Sequence, residues 1–419
     1  MNKSKHAISS LQLAKWSACI YVIVSKALIP LGYLNGIIQL IVLVLSTLMT
    51  VYMDRGKLRL NRFLVVEFVF IAITTVTSLL FAKSQSWVIS SVQTLLYGFL
   101  FGYSVIRIST EEKSVDWFIK SWVVAGVIIV GYIFITGGYS FGRLIRITAR
   151  EEMNSNTLGV YLMFAVWAVL YLMSIKLREK KSVIPSVITG IVFIALFLYV
   201  IIGTGSRKSF IASLLVILFW AVFAMIPTFR EISIWKRLSS FVIAGAVIFF
   251  VYYRFGSTFS RISTTLTTRM QMISGENITD MHRFDLITDA LRVFGQHPVF
   301  GVGWNNYRLY SFSSQYSHCT FVEVLACTGV IGSVFAYLLW GMMISRIWTS
   351  VRHMINKTVG VNMIALLLVF LFINVVQIVY YNSSLLMIMH LLVAFALVQN
   401  NRTAFEPVQN NRAAYVEVE

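Results

Sequence analysis

Long apolar stretches alternate with short polar segments along most of this chain. Each stretch is about 20 residues long, which is enough to cross the hydrocarbon core of a bilayer as an α-helix. The stretches lie at residues 13–29, 34–53, 63–82, 87–106, 117–136, 156–175, 183–202, 209–227, 239–254, 319–345, 359–379 and 383–398. The pattern predicts an all-α polytopic integral membrane protein with about 12 transmembrane helices.

The spans follow one another without a soluble module, so residues 1–398 are predicted to form a single transmembrane domain. Two longer connections fall within it, at 137–155 and 255–317, and the second has a helical pattern of its own. The first span has no small-residue cleavage site, so we expect it to be retained rather than removed as a signal peptide. The polar end of the chain, 399–419, is predicted to be a short flexible tail.

Lysine and arginine are concentrated in alternate loops. The basic loops are 55–62, 176–181, 230–237 and 346–357. The short loops 30–35 and 381–384 contain neither residue. Because basic loops stay in the cytoplasm, we expect both termini to be cytoplasmic and both longer connections to be extracytoplasmic, including a helical loop between spans 9 and 10. The basic loops also explain the formal net charge of +18, so a nucleic-acid partner is not implied.

The composition excludes a soluble protein, since 58% of the residues are hydrophobic, only 12% are charged and the mean hydropathy is +0.78. The polar residues inside the predicted spans are scattered: Lys26, Glu67, Gln93, Asn374, Gln377 and His390. We interpret them as partners in interhelical hydrogen bonds or as side chains that reach the interface, with a transport role as the alternative. The sequence shows no sign of the repeated halves that are typical of secondary transporters.

Three arginines lie in the connection 137–155, on the side where topology disfavours them. They are Arg143, Arg146 and Arg150, and Asn156 follows at the start of the next span. We predict that this segment binds a ligand. The alternative is that Arg143 and Arg150 form ion pairs with the adjacent glutamates or with lipid phosphate.

A second polar turn, Gly203-Thr-Gly-Ser-Arg207-Lys208, connects two predicted spans. Its glycines permit a tight reversal, and consecutive backbone N–H groups in such a turn suit an anion beside a guanidinium. Gly-Ser turns are also common between hydrophobic helices, so the turn alone is a weak signal. The charge of Arg207 on the extracytoplasmic side is the feature that indicates a function.

The segment 281–294 has the pattern of an amphipathic helix. Its predicted apolar face consists of Ile287, Ala290, Leu291, Val293 and Phe294, and its polar face of His282, Asp285, Asp289 and Arg292. Arg283 falls in the middle of the apolar face, so we expect its side chain to point into the protein, with snorkelling to the interface as the alternative. We interpret Asp285 and Asp289 beside Arg292 as a solvated surface.

A helix stop and a glycine-rich turn with Gly301 and Gly303 follow this segment. His318 is predicted to lie in the first turn of the tenth span, where the helix dipole disfavours imidazolium and keeps the ring neutral as a base. The alternative for an interfacial histidine is a polar residue without a function. Glu323 lies deeper in the same span, where a carboxylate indicates a functional site, although a pairing with an extracytoplasmic arginine also accounts for it.

Taken in order, these residues resemble the O-antigen ligase and polymerase superfamily, bacterial membrane glycosyltransferases that use undecaprenyl-diphosphate-linked glycans. The resemblance rests on Thr204-Gly-Ser-Arg207, on Arg283, on His297-Pro-Val-Phe-Gly301-Val-Gly303 and on His318-Cys-Thr-Phe-Val-Glu323, with weaker similarity from Arg146 to Asn156. Ile287 and Cys319 stand where members of the superfamily often have Trp and Asn.

The resemblance implies an extracytoplasmic cavity in which arginines matching Arg207 and Arg283 hold the diphosphate, and the histidine matching His318 acts on the acceptor hydroxyl. These three are the predicted catalytic residues. The predicted substrate-binding residues are Arg146, Arg150, Asn156, Gly301, Gly303 and Glu323. Arginine suits a diphosphate because its planar fork binds two oxygens at once and stays charged.

The predicted activity is polymerisation of undecaprenyl-diphosphate-linked repeat units into O-antigen, capsule or exopolysaccharide at the outer face of the bacterial cytoplasmic membrane. The alternatives are a ligase that transfers the glycan to lipid A core, and a flippase or exporter of lipid-linked sugar. The expected partners are the lipid-linked glycan donor, the glycan acceptor, membrane lipid, a chain-length regulator and a flippase. The chain contains no Asp-x-Asp motif, so we predict metal-independent catalysis without a cofactor. Direct displacement by an activated acceptor would invert the anomeric centre, so we also predict inversion.

Overall fold

A computed structural model of the chain describes residues 9–109, 112–136, 155–179, 183–225, 277–353 and 357–416. These residues form helices joined by turns and contain no strand, so the predicted all-α class is confirmed. The helices are α1 (Ser10–Ile23), α2 (Gly36–Met53), α3 (Arg62–Phe81), α4 (Gln85–Ile108), α5 (Glu112–Ile135), α6 (Ser155–Glu179), α7 (Val183–Thr204), α8 (Arg207–Trp220), α9 (Asn277–Gln296), α10 (Thr320–His353), α11 (Lys357–Val376) and α12 (Ser383–Val416). Short π-helical segments extend α1 through Leu28 and α8 through Met225.

Among the described residues, 9 helices are long and apolar enough to cross a membrane, and each coincides with a predicted span. Two more predicted spans correspond to shorter helices: 209–227 to α8 with its extension, and 383–398 to the first half of α12. The predicted span 239–254 lies outside the described residues. The protein is therefore a multi-pass membrane protein.

Polar caps fix where two of these helices begin. The Asn35 side chain accepts a hydrogen bond from the Ile38 N–H at 3.1 Å, and the Asn61 side chain accepts one from the Leu64 N–H at 2.9 Å. Each cap satisfies a backbone donor that the first helical turn leaves without a partner. A long, mainly apolar run follows each asparagine, so the sequence sets both helix starts locally.

The helices are arranged in two compact units. The first unit comprises residues 1–25, 34–121 and 286–419, and the second unit comprises 26–33 and 122–285. The helices thus form two groups, and the single transmembrane domain over 1–398 stays a prediction.

In the first unit, α4 packs against α1, α2, α3 and α12, and α10 packs against α3, α11 and α12. Glycines on α4 permit the close approach of α12, because Gly98 faces Leu386 and Gly102 faces His390. His390 Nε2 lies 2.8 Å from Oε2 of Glu67 on α3, and both side chains are buried. This bond joins α3 to α12 and confirms interhelical hydrogen bonding for two of the scattered polar residues.

Helix α12 continues to Val416, well beyond the membrane-length part that ends near Gln399. The tail predicted over 399–419 is helical through Val416, its last three residues lie outside the described part of the chain, and its flexibility stays a prediction. The physical reason is that a helix with an established first half needs no new nucleus, so each added residue gains a hydrogen bond at low cost.

In the second unit, α6 packs against α7 and α8. Gly126 of α5 lies against Ala165 of α6 and Phe197 of α7, since a Cβ on Gly126 would be 3.2 Å from each of them. Small residues again let helices approach closely where the membrane interior supplies little hydrophobic driving force. The result is a tight group around α6 that holds the amino end of α8.

Candidate active site

The amino end of α8 carries Arg207 in the second unit. Arg207 is the first residue of the helix, and its side chain is exposed. In the turn before it, Gly205 has a φ of +66°, and the Thr204 hydroxyl accepts a hydrogen bond from the Ser206 N–H at 3.2 Å. The structure thus contains the tight reversal that the glycines predict, and Arg207 directly follows it.

Asn156 lies at the same end of the second unit. A Cβ on Gly159 of α6 would lie 2.8 Å from Ser209 Oγ and 2.9 Å from Ser206 Cβ, so the amino ends of α6 and α8 are in contact. Asn156 is half-buried and lies one turn before Gly159. Neither of these described helices has an acidic residue in its first turn. Two helix dipoles and the Arg207 guanidinium therefore make this end attractive to an anion.

In the first unit, the glycine-rich turn lies against a break in α10. Gly329 has φ +61° and ψ −165°, which interrupts the helical conformation. The carbonyls that the break leaves without helical partners bond outside the helix: Ala326 O accepts the Val302 N–H at 3.0 Å, and Cys327 O accepts the Gly303 N–H at 2.8 Å. The turn thereby satisfies backbone groups that the break would leave buried without partners.

Gly301 and Gly303 permit this close approach. Both have positive φ, +70° and +89°, and both are buried. A Cβ on Gly301 would collide with the Cys327 backbone, and a Cβ on Gly303 would lie 2.6 Å from the Cβ of Ala82. The structure shows that the two glycines pack the turn against neighbouring helices, and their contact with substrate stays a prediction.

Three segments form one end of the first unit, which we call the loop face. The segments are 81–87, 297–319 and 377–382. The Asn306 side chain joins the first two, because its Oδ1 accepts from the Ser84 N–H at 2.7 Å and its Nδ2 donates to the Ser84 carbonyl at 3.1 Å. The Tyr381 hydroxyl joins the second and third by accepting from the Asn305 N–H at 2.8 Å. These bonds hold the long loop in place.

His318 belongs to the loop face and lies in a turn before α10. The helix begins at Thr320, so the histidine precedes it by two residues and does not lie in its first turn, contrary to the sequence prediction. Its φ is +60°, a left-handed conformation that costs roughly 1–2 kcal/mol for a residue with a side chain. The ring is partly exposed and contacts Tyr316 in a tilted arrangement, with 4.3 Å between the ring centroids.

Hydrogen bonds on both sides hold the turn that contains this histidine. Glu323 Oε2 accepts the Ser317 N–H at 2.7 Å. The Thr320 hydroxyl donates to the Gln377 carbonyl at 2.6 Å and accepts from the Val379 N–H at 3.1 Å. The turn is therefore fixed to α10 on one side and to the segment between α11 and α12 on the other. These hydrogen bonds explain how His318 keeps its left-handed backbone conformation although its ring is partly exposed.

The buried face of α9 differs from the predicted apolar face. Leu286, Asp289, Ala290 and Val293 are buried, whereas Leu291 is 45% exposed. Asp289 is not part of a solvated surface, because its Oδ1 lies 2.7 Å from the Arg292 guanidinium and its Oδ2 lies 3.1 Å from the Tyr307 hydroxyl. Hydrogen bonds offset the cost of burying the carboxylate, and this compensation is invisible to a hydrophobic pattern.

Tyr307 acts as a donor in this cluster. Its hydroxyl also lies 2.9 Å from the Leu286 carbonyl, so the proton is shared between that oxygen and Asp289. Burial and the nearby carboxylate raise the pKa of Tyr307 above its ordinary value, so the hydroxyl stays protonated at any physiological pH. The cluster ties the carboxyl-terminal half of α9 to the loop face.

Residues 191–337 of the chain match the family model described as O-antigen ligase. The matched region contains Arg207, Arg283, the glycine-rich turn and His318. Over this region the chain is similar to the O-antigen ligase and polymerase superfamily. The match supports an activity of the O-antigen ligase or polymerase type in general terms. No functionally curated protein matches the sequence.

The residues of the O-antigen ligase region are distributed over both units. Arg207 and the backbone of Arg283 belong to the second unit. Gly301, Gly303, His318 and Glu323 belong to the first unit, where backbone and side-chain bonds bring them together. The side chain of Arg283 lies outside the described residues, as do Arg146 and Arg150 entirely, so their roles stay predictions.

Sequence reasoning did not single out two residues that flank the histidine of the O-antigen ligase region. Ser317 donates its N–H to Glu323, and the Thr320 hydroxyl bonds the start of α10 to the segment 377–382. Polar residues at a helix start are a capping signal, which could have identified both.

Arg308 was also missed, and its guanidinium lies 4.3 Å from the Trp87 ring centroid. No local signal indicates that contact, since the two residues are far apart along the chain.

Proposed function

We propose that this protein joins undecaprenyl-diphosphate-linked oligosaccharide repeat units into a longer glycan at the outer face of the bacterial cytoplasmic membrane. The observation that carries the proposal is the O-antigen ligase match, which covers Arg207, Arg283 and His318 together. The loop face supports it, because His318 is partly exposed there in a turn that hydrogen bonds hold from two sides.

His318 is the proposed general base. Its imidazole takes the proton of the acceptor hydroxyl, and the hydroxyl oxygen forms a bond to the anomeric carbon of the donor sugar. The bond between that carbon and the diphosphate oxygen breaks, and the diphosphate leaves on the carrier lipid. General-base help of this kind contributes about 10² to 10⁴-fold to the rate.

Arg207 and Arg283 are the proposed ligands of the diphosphate. The diphosphate is already anionic and gains one further negative charge as its bond to the sugar breaks, and a fixed guanidinium binds two phosphate oxygens at once. The exposed position of Arg207 at the amino ends of α6 and α8 supports this role, because both helix dipoles favour an anion there. Loss of one such charge-stabilising donor costs about 3 kcal/mol of transition-state stabilisation, or roughly 10²-fold in rate. Arg146, Arg150 and Asn156 are proposed to contact the remainder of the substrate.

Catalysis is proposed to be metal-independent, with arginines in place of a divalent cation, and to invert the anomeric centre by direct displacement. Purified protein is expected to keep its activity in EDTA. Activity that EDTA abolishes and a divalent cation restores would contradict metal independence, and a covalent glycosyl-protein intermediate would contradict inversion by direct displacement.

Glycan-ladder analysis in the native host tests the proposal. A strain that lacks the wild-type protein is complemented with His318→Ala or Arg207→Ala, and membrane abundance is measured for each variant. Both variants are expected to lose the ladder above a single repeat unit, because the first lacks the base and the second lacks a diphosphate ligand. Arg207→Lys should restore part of the ladder, since lysine keeps the charge without the fork.

His297→Ala and Lys208→Ala are the matched controls for this experiment. His297 is a second histidine of the loop face, exposed and outside the strained turn, and Lys208 is a cation adjacent to Arg207. Both controls are expected to give a wild-type ladder. A wild-type ladder from His318→Ala at normal abundance would refute the base assignment and favour a flippase, which needs no general base.

A ligase is the second candidate, because the matched family model is described as O-antigen ligase. Ligase and polymerase share the donor chemistry and differ in the acceptor. The product that accumulates in a null mutant separates them. Loss of the polymerase leaves single repeat units on the surface acceptor, whereas loss of a ligase leaves polymer on the carrier lipid.

A further inference from the structure

We infer that Glu323 is a positioning residue that holds His318 in its working conformation through the backbone of Ser317. The inference rests on the proposed function, in which His318 is the base. It assigns Glu323 a role other than the substrate contact that the sequence suggests.

The burial of Glu323 argues against direct contact with substrate. The residue is 1% exposed, so a sugar or a diphosphate at the loop face meets almost none of its surface. Its Oε2 instead accepts the Ser317 N–H at 2.7 Å, which is a short hydrogen bond. The carboxylate therefore acts on the turn and not on a bound ligand.

The turn needs this support because of its backbone conformation. His318 has a φ of +60°, which a histidine does not adopt by preference. Ser317, the residue immediately before His318, makes the bond to Glu323. Its hydroxyl also bridges His318, because it donates to the Cys319 carbonyl at 3.0 Å and accepts from the Cys319 N–H at 3.3 Å. Removal of the buried acceptor would let the turn relax and move the imidazole.

Two substitutions separate the reach of the side chain from its charge. Glu323→Gln keeps the length and an oxygen that accepts the Ser317 N–H, but it removes the charge. Glu323→Asp keeps the charge, but it withdraws the oxygen by about the length of one methylene group. If Glu323 positions the turn, the glutamine variant works and the aspartate variant does not. If the charge of Glu323 is what matters, through its interaction with Arg308, the order reverses.

Kinetics of purified protein with a lipid-linked donor give the first readout. Glu323→Gln is expected to keep kcat within about 3-fold, and Glu323→Asp to lower it about 10- to 100-fold, because small displacements of a catalytic group cost up to about 10²-fold. KM for the donor should stay within about 3-fold in both variants. The pH dependence of kcat should be unchanged in Glu323→Gln.

Three results would overturn the inference. One is a glutamine variant that is as inactive as the aspartate variant. Another is a raised donor KM at normal kcat, which would indicate that Glu323 binds substrate. The third is a shift of the acidic limb of the pH profile in Glu323→Gln, which would indicate that the charge of the carboxylate acts on His318 itself.

Cys319 provides a readout that does not depend on activity. It is next to His318 and only 8% exposed, so a loosened turn would expose its thiol. Alkylation by a maleimide is expected to be faster in Glu323→Asp than in wild type, and unchanged in Glu323→Gln. The same measurements with Cys319→Ser give the background from Cys19 and Cys327, the other cysteines of the chain.

The two readouts separate failure of this inference from failure of the proposed function. If wild-type protein transfers no glycan but the alkylation rates follow the expected order, the proposed function fails and the positioning of the turn by Glu323 stands. Equal alkylation rates in all Glu323 variants would refute the positioning role whatever the activity.

Discussion

At the residue scale, the glycine-rich turn has no room for a side chain at Gly301 or Gly303. Gly303 combines a φ of +89° with a virtual Cβ only 2.6 Å from the Cβ of Ala82. We predict that Gly303→Ala lowers the free energy of unfolding by about 2–3 kcal/mol, from backbone strain and overpacking together. Thermal unfolding of the detergent-solubilised protein measures this effect.

Gly295→Ala is the matched control for that substitution. Gly295 is exposed, and a Cβ there would meet no atom within 4 Å in the described residues. We expect a change within about 0.5 kcal/mol, as for most surface substitutions. Equal effects at the two glycines would contradict the packing role assigned to Gly303.

Individual candidate residues were predictable from the sequence, but their local geometry was not. The polar and charged residues that break the apolar pattern drew attention to Arg207, His318 and Glu323. The left-handed conformation of His318 and the bond from Ser317 to Glu323 depend on a turn that bends back onto α10. Hydropathy contains no information about that bend.

At the scale of elements, α10 differs from a regular transmembrane helix. Its span was predicted correctly, since Thr320–Arg352 is apolar and long enough to cross a membrane. The break at Gly329 was not predicted, because an isolated glycine is tolerated in many helices. Only the docking of the glycine-rich turn supplies the hydrogen bonds that make a break at this depth acceptable.

The contact between α3 and α12 gives a prediction at the same scale. His390 Nδ1 lies 2.8 Å from the Leu386 carbonyl, which only accepts, so Nδ1 carries a proton. A second proton is then shared between Nε2 and Glu67, and the buried pair is neutral overall. We predict that His390→Leu alone lowers the free energy of unfolding by about 3 kcal/mol, because it leaves the acid buried without its partner.

A double substitution and a control complete that experiment. His390→Leu together with Glu67→Leu should recover most of the lost stability, since no buried polar group then lacks a partner. Gln93→Leu should have little effect, because Gln93 is exposed and bonds only to Tyr97 within its own helix among the described contacts. Additive losses in the double variant would show that the two side chains do not act as a pair.

At the scale of the whole molecule, the distribution of basic loops predicts the orientation of the protein in the membrane. A fluorescent protein fused after Glu419 should fluoresce, because the carboxyl terminus is predicted to be cytoplasmic. Alkaline phosphatase fused after Asn382, in a segment without lysine or arginine, should be active. Phosphatase fused after Arg59, in a basic loop, should be inactive. The opposite pattern would place the loop face in the cytoplasm and exclude an extracytoplasmic reaction.

The sequence by itself determined the membrane setting, the helical class, most of the spans and the resemblance to the superfamily. These properties follow from the length of apolar runs, the thickness of a bilayer and short motifs, all of which are local along the chain. The tertiary structure decided which distant residues contact one another and how the turn of His318 is hydrogen-bonded. Asn306 meets Ser84 across 222 positions, and His390 meets Glu67 across 323. Contacts at such separations depend on how helices pack. The bond from Ser317 to Glu323 spans only 6 positions, but it depends on the turn that places His318 before α10, which only the folded chain shows.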